Sequence, residues 1–152
     1  MQHLQNIHPL VVHFPIAFFV GAALFYGMAW VWRNETLANT AFSILILGAI
    51  SAAAAVGTGL YAEEGVMVAR SVRQHLLETH EQIMIATLGL SVVLAVWALA
   101  ARPFPRKGRI IFFLLFLGLL VIMSLGADYG ARMVYDYNAG GNACSQPIEF
   151  TK

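Results

Sequence analysis

Charge is the scarcest resource in this chain. Nine Lys+Arg and eight Asp+Glu among 152 residues make 11%, about half of what a soluble domain carries. The net charge of +1 is too small to argue for nucleic acid, and no nucleic-acid partner is expected. Cysteine is nearly missing too. Cys144 stands alone, so an internal disulfide and any thiolate-built zinc or iron–sulfur centre are excluded. No CxxCH run occurs, which removes covalent c-type haem. The opening "MQHLQNIHPL" has no Lys or Arg, unlike the n-region of a signal peptide, so the first apolar run reads as a retained span. GxSxG and phosphate-loop motifs are lacking. "HEQIM" starts like a zincin motif but carries Met84 where the second histidine belongs.

What remains is apolar. Hydrophobic residues make up 59% of the chain and the mean hydropathy is +0.71, the profile of a membrane protein. Four runs approach the ~20 residues that cross a bilayer as a helix: about 10–32, 37–61, 79–101 and 110–127. The short links "RNET" and "RPFPRKGR" make sequential helices antiparallel neighbours. The expected fold is all-α, an integral membrane four-helix antiparallel bundle over 1–138, with a polar tail over 139–152. Ala52, Ala55 and Gly59 in the second run, and Gly118 and Gly126 in the fourth, are candidate sites of close helix approach.

Positive charge orients the bundle. Arg33, Arg102, Arg106, Lys107 and Arg109 lie on the first and third links, against Arg70, Arg73, Arg132 and Lys152 on the other side. The dense 102–109 cluster is expected to face the cytoplasm. Both termini then lie in the periplasm of a bacterial inner membrane. Independently of sidedness, "HPLVVHFP", "RQHLLETHE" and "DYGARMVYDYNAGG" all fall at one end. The unusual polar residues gather there.

Histidine inside a membrane span is rare and usually has a partner. His13 and His80 each lie about one turn inside their helices, on helices that run in the same direction. Ala17, Gly21 and Leu24 continue the stripe below His13; Met84, Thr87 and Ser91 continue the one below His80. Two neutral imidazoles on facing helices can supply both axial bonds of a b-type haem. The plainer alternative is a histidine that satisfies a backbone carbonyl freed near Pro15. His8 and His75 precede the inner pair by five residues, about 7.5 Å of rise and about 140° of rotation. They suit a second metal or haem, haem propionates, or the headgroup region. Arg70 and Arg73 are candidate propionate partners, since Arg matches carboxylates, and lipid phosphate is their other natural partner. Glu81 could set the tautomer of His80, or simply occupy a helix N-terminus. Pro9 fits a first helical turn. Pro15 forfeits a hydrogen bond to Val11.

"HPLVVHFPIA" opening the first helix, a His-Glu pair opening the third and "MVYDYNAG" after the fourth together resemble the bacterial membrane proteins of domain-of-unknown-function family 2231. The resemblance spans most of the chain. It implies a four-helix membrane domain, in some members beside c-type cytochromes or other redox modules. The family's tail has a glycine pair and an acidic residue before Leu-Val-Tyr; here Gly130, Ala131 and Arg132 precede Met133, Val134 and Tyr135.

These features support a membrane-embedded haem b subunit with one or two haems, ligated by His13 and His80 near the periplasmic end. It would carry electrons between a quinol or membrane partner and a periplasmic carrier, as part of a larger respiratory or redox complex rather than as a stand-alone enzyme. The alternatives are a cofactor-free structural or assembly subunit and a small metal-binding transporter.

Overall fold

The computed structural model describes residues 7–63, 73–105 and 107–137. Four long helices account for almost all of them: α1 (His8–Trp32), α2 (Glu35–Glu63), α3 (Glu78–Ala101) and α4 (Arg109–Tyr135). No strand occurs among the described residues. All four helices are long and apolar enough to cross a membrane, and the chain is an all-α, multi-pass membrane protein. Helix α4 runs to Tyr135, beyond the end of the apolar run near Ala127.

The helix ends follow local chemistry. Helix α1 breaks at Val12, between a first turn His8–Val11 and the body His13–Trp32. The break lies three residues before Pro15, which has no N–H to return to Val11. Pro9 occupies the first turn, where that loss costs nothing. The helix stops at Arg33, which is left-handed (φ 49°) and donates its N–H to the Ala29 carbonyl. The Asn34 side chain then caps α2, with Oδ1 accepting from the N–H groups of Thr36 (2.8 Å) and Leu37 (3.2 Å). Ahead of α3, Arg73–Leu77 forms a π-helical turn. Gly108, at φ 77°, starts α4, a conformation that a side chain would oppose.

Around the bundle α1 touches α2 and α4, while α3 touches α2 and α4. Helices α1 and α3 therefore stand diagonally, as the short links require. The α1–α2 and α3–α4 pairs are close, whereas α1 meets α4 over a limited stretch. That stretch is aromatic and lies at the arginine end. The buried Tyr26 ring stacks on Phe104 at 4.9 Å and meets Phe112 edge-on at 5.3 Å. Its hydroxyl donates to the Pro103 carbonyl (3.2 Å), pinning the α3–α4 link beneath the bundle.

Glycine permits the close pairs. A Cβ at Gly48 of α2 would stand 2.6 Å from Phe19 of α1. One at Gly126 of α4 would collide with Met84 and Ile83 of α3. Gly118, by contrast, has nothing within 4 Å of a built Cβ, so it is not a site of close approach. Two outcomes follow for glycine substitution. Gly48→Leu overpacks the α1–α2 interface and is expected to destabilise the protein by about 1–3 kcal/mol. Gly118→Leu, made into open space, is expected to stay within about 0.5 kcal/mol of the parent. Thermal unfolding in detergent, followed by circular dichroism, compares the two.

Candidate functional site

In α1 the buried residues are Pro15, Phe19, Ala22, Tyr26 and Ala29. Stepping back from Pro15 by seven residues, two helical turns, reaches His8. It does not reach His13. His13 is exposed, as are Ala17 and Leu24 on its stripe. The expectation that His13 points into the bundle is therefore corrected: the inward histidine of α1 is His8, and His13 faces outward. The 140° between them allows one of the two to face the core, and the phase set by Phe19 and Tyr26 selects His8. On α3 the expectation holds, because Thr87 and Ser91 below His80 are buried.

His8 and His80 both lie at the end of the bundle opposite the aromatic cluster. Both are half-buried. Each imidazole rests on a glycine of its neighbouring helix. A Cβ at Gly59 of α2 would lie 3.0 Å from Cε1 of His8, and one at Gly130 of α4 would lie 3.1 Å from Cε1 of His80. Any larger residue at either place would displace the ring.

Hydrogen bonding sets the tautomer of both rings. Nδ1 of His80 stands 2.7 Å from the Gly126 carbonyl oxygen. A carbonyl only accepts, so Nδ1 carries the proton. Nδ1 of His8 stands 3.1 Å from Thr58 Oγ1, and the Thr58 hydroxyl already donates to the Ala55 carbonyl at 3.0 Å. Thr58 must then accept from His8, whose proton is also on Nδ1. In the neutral state both rings leave Nε2 as a lone pair with no partner among the described residues. A backbone or hydroxyl acceptor at Nδ1 with Nε2 free is the arrangement that orients histidine as a metal ligand. The Gly126 carbonyl, rather than Glu81, fixes the tautomer of His80.

His75 is exposed on the π-helical turn. Arg70 and the Arg73 side chain lie outside the described residues, as do the tail beyond Tyr137 and Cys144. Asp128 pairs with Arg132 at 2.8 Å on the exposed side of α4, a surface pair of little energetic weight. Among the described residues no group of three or more His, Cys, Asp or Glu is placed to hold a metal ion. A pair of imidazoles suits a group that needs two protein ligands, as haem does, better than zinc, which takes three or four. Gly59 and Thr58 were the residues hardest to foresee. Gly59 stood out as a packing glycine, while nothing local marked Thr58 as the partner of a histidine fifty residues away.

Nitrogen-15 NMR of histidine-labelled protein is expected to report Nδ1-protonated tautomers for neutral His8 and His80. Thr58→Val is expected to release His8 to a mixture of tautomers and leave His80 unchanged. A change at His80 alone would contradict the assignment.

A family model described as "Predicted membrane protein (DUF2231)" matches residues 4–143. No curated protein and no solved structure matches the chain. The matched region contains all four helices and both inward histidines, and the chain belongs to the DUF2231 family of membrane proteins.

Proposed function

We propose that this protein is a b-type haem electron-transfer subunit, with the haem held at the histidine end of the bundle. The observation that carries the reading is the matched pair His8 and His80. Each comes from one of two diagonal helices, has its Nδ1 proton committed to a protein acceptor, and keeps Nε2 without a partner among the described residues. Bound there, haem would supply one-electron chemistry. The chain's own contribution would be to orient two imidazoles and shield the iron with apolar helices. The pair favoured by spacing, His13 with His80, would require His13 to leave the exposed face. A second haem on His8 and His75 would compete for His8. Arg70 and Arg73 remain candidates for the propionates.

The arginine cluster at the opposite end favours a cytoplasmic position for that end. On that orientation the haem would lie on the periplasmic side of a bacterial inner membrane, with both termini periplasmic. Electrons would then pass between a quinol or membrane partner and a periplasmic carrier such as a c-type cytochrome, within a larger respiratory or redox complex.

One observation favours a second reading. His8 and His80 are each hydrogen-bonded within the protein, so they also serve as polar ties between helices in a cofactor-free structural or assembly subunit. A small metal-binding transporter has less support, since no third ligand joins the pair among the described residues.

Absorption spectroscopy separates these readings. Protein expressed with ample haem is expected to show a Soret band and one haem per chain. His8→Ala and His80→Ala should each abolish or shift the band, whereas His13→Ala and His75→Ala should keep it. Loss in His13→Ala with retention in His8→Ala would restore the pair suggested by spacing. A colourless parent protein would overturn the haem reading, and metal analysis of that sample would test the transporter.

A further inference from the structure

Helices α1 and α4 share a limited contact, and beside it they leave a groove open to the lipid. The groove has a volume of about 350 Å³ and is walled by Leu24, Gly27, Met28, Val31 and Trp32 of α1 and by Phe113 of α4. Gly27 keeps it open, since a Cβ there would already stand 3.9 Å from the Phe113 ring. A groove of this volume cannot take in a helix, which is about 10–12 Å across with its side chains. A single acyl chain suits both its size and its apolar walls.

Both walls lead to a cation at the arginine end. On α1, Trp32 is followed by the exposed Arg33. On α4, Arg109 precedes Phe113 by four residues, one turn away on the same face. The Arg109 guanidinium lies over the Phe104 ring at 4.9 Å, yet it has no acceptor. Its Nε is buried without a hydrogen bond, and its Nη groups have none among the described residues. A half-buried guanidinium in that state is costly. The surroundings supply no anion for it. Arg33, Arg102, Arg106, Lys107 and Arg109 gather at this end against one acid, Glu35. Among the described residues Glu35 forms no ion pair with any of them. Phosphate matches the planar donor fork of arginine, and basic pockets between membrane spans hold anionic head groups. A zwitterionic head would bring its own ammonium into the same surplus of cations.

We propose that the α1–α4 groove and Arg109 form a binding site for one anionic phospholipid. An acyl chain lies along Gly27 and Phe113, and the phosphate meets Arg109, with Arg33 on the opposite wall. The lipid ties together two helices that otherwise share little contact. The site is at the end of the bundle away from the histidines, and it is independent of the haem reading.

The test is native mass spectrometry of the full-length protein in detergent, titrated with dioleoyl phosphatidylglycerol or with dioleoyl phosphatidylcholine. One saturable phosphatidylglycerol per chain is expected. It should bind about tenfold tighter than phosphatidylcholine, since each lysine or arginine near an anionic head adds about fivefold. Arg109→Gln should weaken phosphatidylglycerol about fivefold and phosphatidylcholine less. If that variant does not fold, Arg33→Gln should have the same effect from the other wall. Gly27→Leu fills the groove and should remove the saturable phosphatidylglycerol while keeping the helical circular dichroism. Arg132→Gln, at the histidine end, should bind as the parent does. Equal affinities for the two lipids in the parent would overturn the proposal. So would an unchanged preference in the folded arginine variant, an equal loss in Arg132→Gln, binding unchanged by a folded Gly27→Leu, or displacement by oleate at equal concentration.

Discussion

Helices in a bilayer gain little by moving apolar side chains from lipid onto one another, because lipid tails are as apolar as leucine. Association must come from close contact and from hydrogen bonds across helices, and in this protein glycine provides for both. Gly48 lets Phe19 press against α2, and Gly126 admits Met84 against α4. The same device, about three turns further along α2 and one turn further along α4, seats the histidines: Gly59 under His8 and Gly130 under His80. The packing that holds the bundle together and the placement of its two inward imidazoles are thus one constraint. Loss of the α2 or α4 glycines would move the rings as well as the helices.

The two ends of the bundle do different things. At the arginine end Tyr26, Phe104, Phe112 and Phe116 form an aromatic core closed by the hydroxyl of Tyr26 on the Pro103 carbonyl. Arg109 lies over the Phe104 ring at 4.9 Å, a cation–π contact that ties the first turn of α4 to the same cluster. At the histidine end the packing includes polar groups that satisfy one another in a fixed order: Ala55 carbonyl, Thr58 hydroxyl, His8. Membership of the DUF2231 family covers both ends.

Much of the fold was legible in residue order. Four apolar runs joined by two short polar links leave few arrangements other than an antiparallel bundle. The diagonal relation of α1 and α3 and the gathering of histidines at one end follow from that. The asparagine of "RNET" as a helix cap and Pro9 as a first-turn residue are local chemistry. Helix phase was not legible. A helix flanked by lipid has apolar residues all around it, so periodicity cannot tell the core face from the lipid face. His13, set among Val12, Phe14 and Ile16, looks as deep and as inward as any residue in "HPLVVHFPIA". It is the burial of Phe19 and Tyr26, dictated by Gly48 and by Phe112 on other helices, that turns His13 outward and His8 inward.

The sequence by itself determined that the chain is a membrane protein with four spans and that its histidines collect at one end. These conclusions depend on the length of apolar runs and on composition, which any helix expresses whatever its neighbours. Only the tertiary structure decided which histidine of α1 lies on the core face and which nitrogen of each ring carries the proton. Those choices depend on rotation of one helix against another and on acceptors 46 and 50 residues away. Close packing at a few glycines sets them, and nothing in the local sequence around either histidine records it.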